Sequence, residues 1–202
     1  MKFIFSILFA SLLCNSSMAQ SNLVLNPSFE QSYDTCFPSI GGIAAGQVDF
    51  WSSPNNSTSD YFVPLSCDGF GCSYEGSFTS PPINPFGFEY AHKGECYGGF
   101  VFYDYGHSST FYEYIQASFR DTLQFGKAYG LECYVSLGFE GQSLCISNLG
   151  FYFSDTALTI SNSSQRINYT PQYENPSSNS INIYKGWQRI TGSFVASGVR
   201  NL

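Results

Sequence analysis

Tyr129-Gly-Leu131-Glu-Cys133-Tyr-Val135-Ser-Leu137 repeats with period two. Tyr129, Leu131, Cys133, Val135 and Leu137 share one phase; Gly130, Glu132, Tyr134 and Ser136 share the other. Side chains leave a pleated strand on alternate sides, so this pattern predicts a strand with one face on a core. Two other stretches repeat it. In Phe111–Phe119, the residues Phe111, Glu113, Ile115, Ala117 and Phe119 oppose Tyr112, Tyr114, Gln116 and Ser118. In Gly186–Ala196, Trp187, Arg189, Thr191 and Ser193 oppose Gln188, Ile190, Gly192 and Phe194. Shorter runs at Asn22–Glu30, Val48–Ser52, Cys96–Tyr105 and Leu149–Ser154 are also expected to be extended, and Asn26-Pro27 interrupts the first of them. No segment carries a convincing helical period. Residues 31–95 are rich in Gly, Pro, Ser and Asn, and residues 155–185 form a polar excursion broken by Thr170-Pro171 and Asn175-Pro176. The pattern predicts an all-β sandwich with long loops.

Composition narrows the class further. The chain has 202 residues, 18% of them aromatic and only 11% charged, with 15 Tyr, 20 Phe and 19 Gly. Ala-, Leu- and Glu-rich helical bundles do not look like this, and disordered chains are poor in aromatics. Eight Lys and Arg stand against 15 Asp and Glu, for a net charge of −7. Nucleic acid is excluded as the expected partner, because phosphate neutralisation requires clustered cations. A polybasic membrane patch is excluded for the same reason.

Lys2, an apolar run from Phe3 to Cys14 and the small-residue exit Ser17-Met18-Ala19 have the three-part form of a secretory signal peptide. The run is too short to span a bilayer. Leu13 stands where a lipoprotein signal carries a small residue, which argues against lipid on Cys14. Residues 1–19 are therefore read as a leader and 20–202 as one exported domain, secreted or held at the cell surface. Export makes disulfides chemically accessible. Cys36, Cys67 and Cys72, in turn-rich sequence, are the bridge candidates, whereas Cys133 suits a buried thiol as well as a bridge. Cys67 and Cys72 are too far apart, and too far from His92 and His107, for a paired zinc motif.

Several strings form an ordered set: Asn22-Leu-Val-Leu-Asn-Pro-Ser-Phe-Glu30, Asp60-Tyr-Phe62, Tyr90-Ala-His92, Tyr97-Gly-Gly-Phe100, Tyr112-Glu-Tyr-Ile-Gln116, Gly126-Lys-Ala-Tyr129, Phe151-Tyr-Phe-Ser-Asp155 and Gly186-Trp187. The set resembles a family of secreted Gram-negative bacterial jelly-roll domains, similar to carbohydrate-binding modules and galactose-binding-like domains. The resemblance covers nearly all of residues 22–200. It implies a jelly-roll sandwich near the N-terminus of a larger protein. Such proteins often end in a type IX secretion sorting domain, a gliding-motility region or an outer-membrane-protein-A-like domain. Members complete a further strand after the stretch matching Gly192–Ala196, so the last strand is expected to be missing and the domain truncated. Similar jelly rolls carry a structural calcium near the first strand. The resemblance puts Glu30 at that position, where a carboxylate would suit a hard cation. A turn or edge role for Glu30 is the other reading.

Catalytic motifs are absent: no HExxH, P-loop or dinucleotide fingerprint occurs, and Gly71-Cys-Ser73-Tyr-Glu-Gly76 misses the nucleophile-elbow spacing. Acids are scattered singly, which offers no pair for glycoside hydrolysis. His92 is expected to be a hydrogen-bonded structural residue and His107 an exposed turn residue. Tyr112, Tyr114 and Gln116, on the polar face of their strand, are the candidate ligand-binding residues. Trp51 and Trp187 are expected in the core. The functional expectation is a non-catalytic exported module that binds glycan or another envelope ligand. A spacer or adhesion module with no small-molecule site is one alternative, and the accessory domain of a truncated hydrolase is another.

Overall fold

The computed structural model describes residues 21–33, 41–55, 57–64, 80–102, 112–138, 145–161 and 166–197. The expected leader, Cys36, Cys67, Cys72, His107 and the end of the chain lie outside the described residues. Among the described residues the chain is mostly β, with ten strands, no α-helix and one 3-10 turn at Ser177–Asn179. Among them, no helix is long and apolar enough to cross a membrane.

The strands are β1 (Trp51–Ser52), β2 (Asp60–Phe62), β3 (Ile83–Asn84), β4 (Gly87–Phe88), β5 (Tyr97–Gly99), β6 (Gln116–Ala117), β7 (Ala128–Val135), β8 (Gly150–Phe151), β9 (Tyr173–Glu174) and β10 (Gln188–Val195). They pair antiparallel as β1–β6, β2–β5, β3–β4, β7–β10 and β8–β9. The longest ladder joins β7 and β10 over eight residues each, from Gln188 opposite Val135 to Val195 opposite Ala128. These are the two stretches with the cleanest alternation, and the register puts Cys133 beside Ile190 on the inner face.

Elsewhere the strands are shorter than the alternation implies, for local reasons. Within Asn22–Glu30 only Val24 makes a bridge, to Phe119. Asn26 and Phe29 adopt positive φ values of 49° and 63° and turn the chain. The Asn26 side chain holds that turn, accepting from the Gln31 N–H at 3.0 Å and donating to the Gln31 and Asp49 carbonyls at 2.8 and 3.0 Å. The polar excursion 155–185 contains β9, which the breakers around it conceal in the sequence.

Two buried clusters organise the interior. Ile43, Val48, Tyr61, Val63 and Cys96 form one, with Phe29, Trp51 and Ile115 packed against it. Leu149, Ile181 and Ile190 form the second, flanked by Cys133, Val135, Phe151 and Tyr173 among others. Beside the first lies a buried polar network. Ser59 Oγ donates to the Tyr114 carbonyl at 2.9 Å, and Asn55 Nδ2 donates to the Tyr112 carbonyl at 2.7 Å. Glu113, 4% exposed, accepts from the Thr58 hydroxyl at 2.6 Å, the Thr58 N–H at 3.1 Å and the Val101 N–H at 2.7 Å. Asp60, 3% exposed, accepts from the Gly41 N–H at 2.7 Å. Buried polar groups must be paired in this way or cost most of their hydration.

Among the described residues Cys96, Cys133 and Cys145 are free thiols and no cysteine pair is seen, while the bridge candidates Cys36, Cys67 and Cys72 lie outside them. Burial pushes the Cys96 and Cys133 thiols up to about 11. Of the two readings left open for Cys133, the structure shows the free thiol, half-buried against the second cluster.

Candidate ligand-binding face

The outward phase of β10 carries Arg189, Thr191 and Ser193, and that of β7 carries Gly130, Glu132 and Tyr134. Register brings Arg189 opposite Tyr134 and Thr191 opposite Glu132, so the Arg189 and Glu132 side chains meet on the diagonal. Arg189 Nε donates to Glu132 Oε2 at 2.8 Å, and Nη2 reaches the same oxygen. Both side chains stay well exposed, at 61% and 47%. That hydrogen bond from Arg189 lowers the Glu132 pKa, and the nearby charge of His92 acts in the same direction. An exposed pair of this kind adds little to stability. It does set Arg189 donors beside a Glu132 acceptor at the surface.

Aromatic rings stand against this pair. His92 stacks on Tyr134 with ring centroids 3.6 Å apart and an interplanar angle of 18°. Trp187 meets His92 edge-on at 6.1 Å and Tyr97 at 5.6 Å. Trp187 Nε1 donates to the Tyr90 carbonyl at 2.8 Å, which ties the segment carrying His92 to the start of β10. Glu89 secures the same segment: Oε2 accepts from Ser136 Oγ at 2.6 Å and from the Gly186 N–H at 2.9 Å. Phe88, Tyr90 and His92 are exposed while Glu89 and Ala91 between them are half-buried, so the segment turns every second residue, each carrying a ring, to solvent. Phe88 and Tyr90 meet edge-on at 5.3 Å.

Two expectations are corrected here. Trp187 is not a core residue: it is half-buried, belongs to neither buried cluster, and lines the outward face. Its register follows from its phase with Arg189 and Thr191, which outweighs its size. His92 is exposed and held by ring stacking. Trp51 does meet the interior, stacked on Phe29 at 4.4 Å with Nε1 donating to the Asn26 carbonyl at 2.8 Å.

The sequence candidates lie elsewhere and do not converge with these rings. Tyr112, Tyr114 and Gln116 are half-buried. Gln116 turns its amide inward, donating from Nε2 to the Leu158 carbonyl at 3.1 Å and accepting from the Leu158 N–H at 3.0 Å. The Tyr114 hydroxyl accepts from the Ile167 N–H at 3.1 Å. Glu30 Oε1 accepts from the N–H groups of Glu95 and Cys96 at 2.9 and 3.0 Å. These bonds make Glu30 a clamp between the first segment and the 94–96 loop. Among the described residues no group of three His, Cys, Asp or Glu could hold a metal ion.

His92, Tyr134, Trp187 and Arg189 were not among the ligand-binding candidates read from the sequence. The signal for two of them lay in the phase of Gly186–Ala196, which groups Trp187 with Arg189. His92 and Tyr134 lack one, because their stacking joins segments distant in the chain. No protein-family model, curated protein or solved structure matches this chain.

Proposed function

We propose that this protein is a non-catalytic, exported β-sandwich module of jelly-roll type that binds saccharide on the outward face of β7 and β10. The observation carrying this reading is the His92–Tyr134 stack standing beside Trp187 and the exposed Arg189–Glu132 pair. A pyranose has an apolar face of C–H bonds and an equatorial rim of hydroxyls. Aromatic faces take the first, and a donor–acceptor pair takes vicinal hydroxyls, as ligand sites combine apolar walls with few fixed polar groups. The two buried carboxylates, Asp60 and Glu113, are turned to backbone N–H groups, which favours a structural role over acid–base chemistry. Export rests on the leader-like residues 1–19, and the sandwich on the two apolar clusters and the alternation of the long ladder.

A glycan array probed with folded protein, followed by calorimetry on the retained sugars, tests the reading. His92→Ala and Tyr134→Ala should each weaken binding at least tenfold, while Phe125→Ala, at an exposed position outside the face, leaves it unchanged. Folded protein that retains no saccharide would leave the spacer or adhesion role in its place.

A further inference from the structure

Among the described residues, a surface groove of about 200 Å3, lined by Pro64, Pro81, Pro82, Tyr90, Ala91 and Glu95, shares Tyr90 with the aromatic face. We infer that the binding face continues across Tyr90 into this groove, and that its ligand is a neutral oligosaccharide of at least two sugars rather than a single one. The inference rests on the saccharide reading above and extends it to chain length and charge.

Tyr90 connects the two halves. Its carbonyl receives the Trp187 indole N–H at 2.8 Å, while its ring, 63% exposed, lines the groove. The rest of the groove is held in place without a ligand. The Glu89 N–H donates to the Pro82 carbonyl at 2.7 Å, which fastens the proline wall to the Tyr90 segment. At the far end Glu30 receives the N–H groups of Glu95 and Cys96. Gly94 completes the bend at φ +74°, where a side chain would push the Glu30 carboxylate off these N–H groups. Walls fixed before binding reduce the ordering cost of association.

Size and charge select the occupant. About 200 Å3 is below the ~300 Å3 at which drug-sized pockets begin, which suits one sugar ring. Proline methylenes and a tyrosine face offer apolar contact to its C–H surface, and Glu95 accepts from a hydroxyl. Glu95 in the groove and a net charge of −7 oppose a polyanionic chain, while on the face Arg189 offsets the charge of Glu132.

Calorimetry with gluco-, manno- and xylo-oligosaccharides of one to six residues, and with oligogalacturonate as the acidic control, tests this on the intact chain. In at least one neutral series affinity should rise tenfold or more between one and three residues, and oligogalacturonate should not bind. Tyr90→Ala should abolish the gain with chain length while keeping the melting temperature, and His92→Ala should weaken short and long ligands alike. Monosaccharide binding with no gain on lengthening, a gain that survives Tyr90→Ala, or equal binding of oligogalacturonate would overturn the inference and leave the saccharide reading standing. Failure of folded protein to bind any series would overturn both.

Discussion

Replacing Asp60 by asparagine should make the protein more stable at neutral pH, in a manner that depends on pH in one direction only. Asp60 is 3% exposed, and burial raises its pKa from 3.8 to about 6, with the Gly41 hydrogen bond pulling it down and the charge of Glu113 adding to the rise. An acid raised in this way holds its proton in the folded chain between pH 3.8 and about 6 while the unfolded chain has lost it. Over that window the unfolded state binds fewer protons, so stability falls as pH rises, and it levels off above the folded pKa. A shift of about two units corresponds to at most about 3 kcal/mol. The side-chain amide of the Asp60→Asn variant would keep an oxygen for the Gly41 N–H and carries no charge to bury. The difference in unfolding free energy between variant and parent should therefore climb by about 2–3 kcal/mol from about pH 4 to about pH 7, then flatten. With a urea slope of about 2 kcal/mol/M, the gap between midpoints widens by about 1 M. Urea titrations at half-unit pH intervals measure it, and subtraction removes groups common to both proteins. A difference that is constant with pH, or that shrinks as pH rises, would refute the account of Asp60.

Gly192 lies beneath the Tyr173 ring, where a Cβ would overlap Cε2, while the Tyr173 hydroxyl donates to the Thr191 carbonyl at 2.8 Å. Gly192→Ala must displace that ring and should cost about 1–3 kcal/mol, read as a lowered urea midpoint; an unchanged midpoint would show the ring to be free to move. The thiols divide by burial. Cys96 and Cys133, raised to about 11, should react slowly with a thiol reagent at about pH 8, and exposed Cys145 quickly. Cys145→Ser should then remove one fast equivalent and Cys133→Ser none, with stopped-flow absorbance reporting both.

The long ladder could be read from residues 128–135 and 188–195 because each strand buries one face, and burying one face imposes a period of two that survives in the letters. The short strands could not. β2 reads Asp-Tyr-Phe and is buried at all three positions, so it has no alternation to show. β3 and β4 consist of two residues each around a tight turn. Trp187 shows a strand pattern outweighing a residue preference. Its phase placed it with Arg189 and Thr191, and the phase prevailed over the tendency of Trp to be buried.

What the sequence determined alone is local: a β-rich chain, an acidic charge balance, and strands with an inner and an outer face. Those follow from composition and from neighbours one or two positions apart, where backbone geometry dictates side-chain direction. Tertiary structure decided the rest: that Glu30 closes on the 95–96 N–H groups, that Gln116 is spent on Leu158, and that His92 lies on Tyr134 beside Trp187. Each of these joins residues far apart in the chain. A hydrogen bond or a ring stack depends on separation in space, to a few tenths of an ångström, and only the packed fold brings such partners within reach.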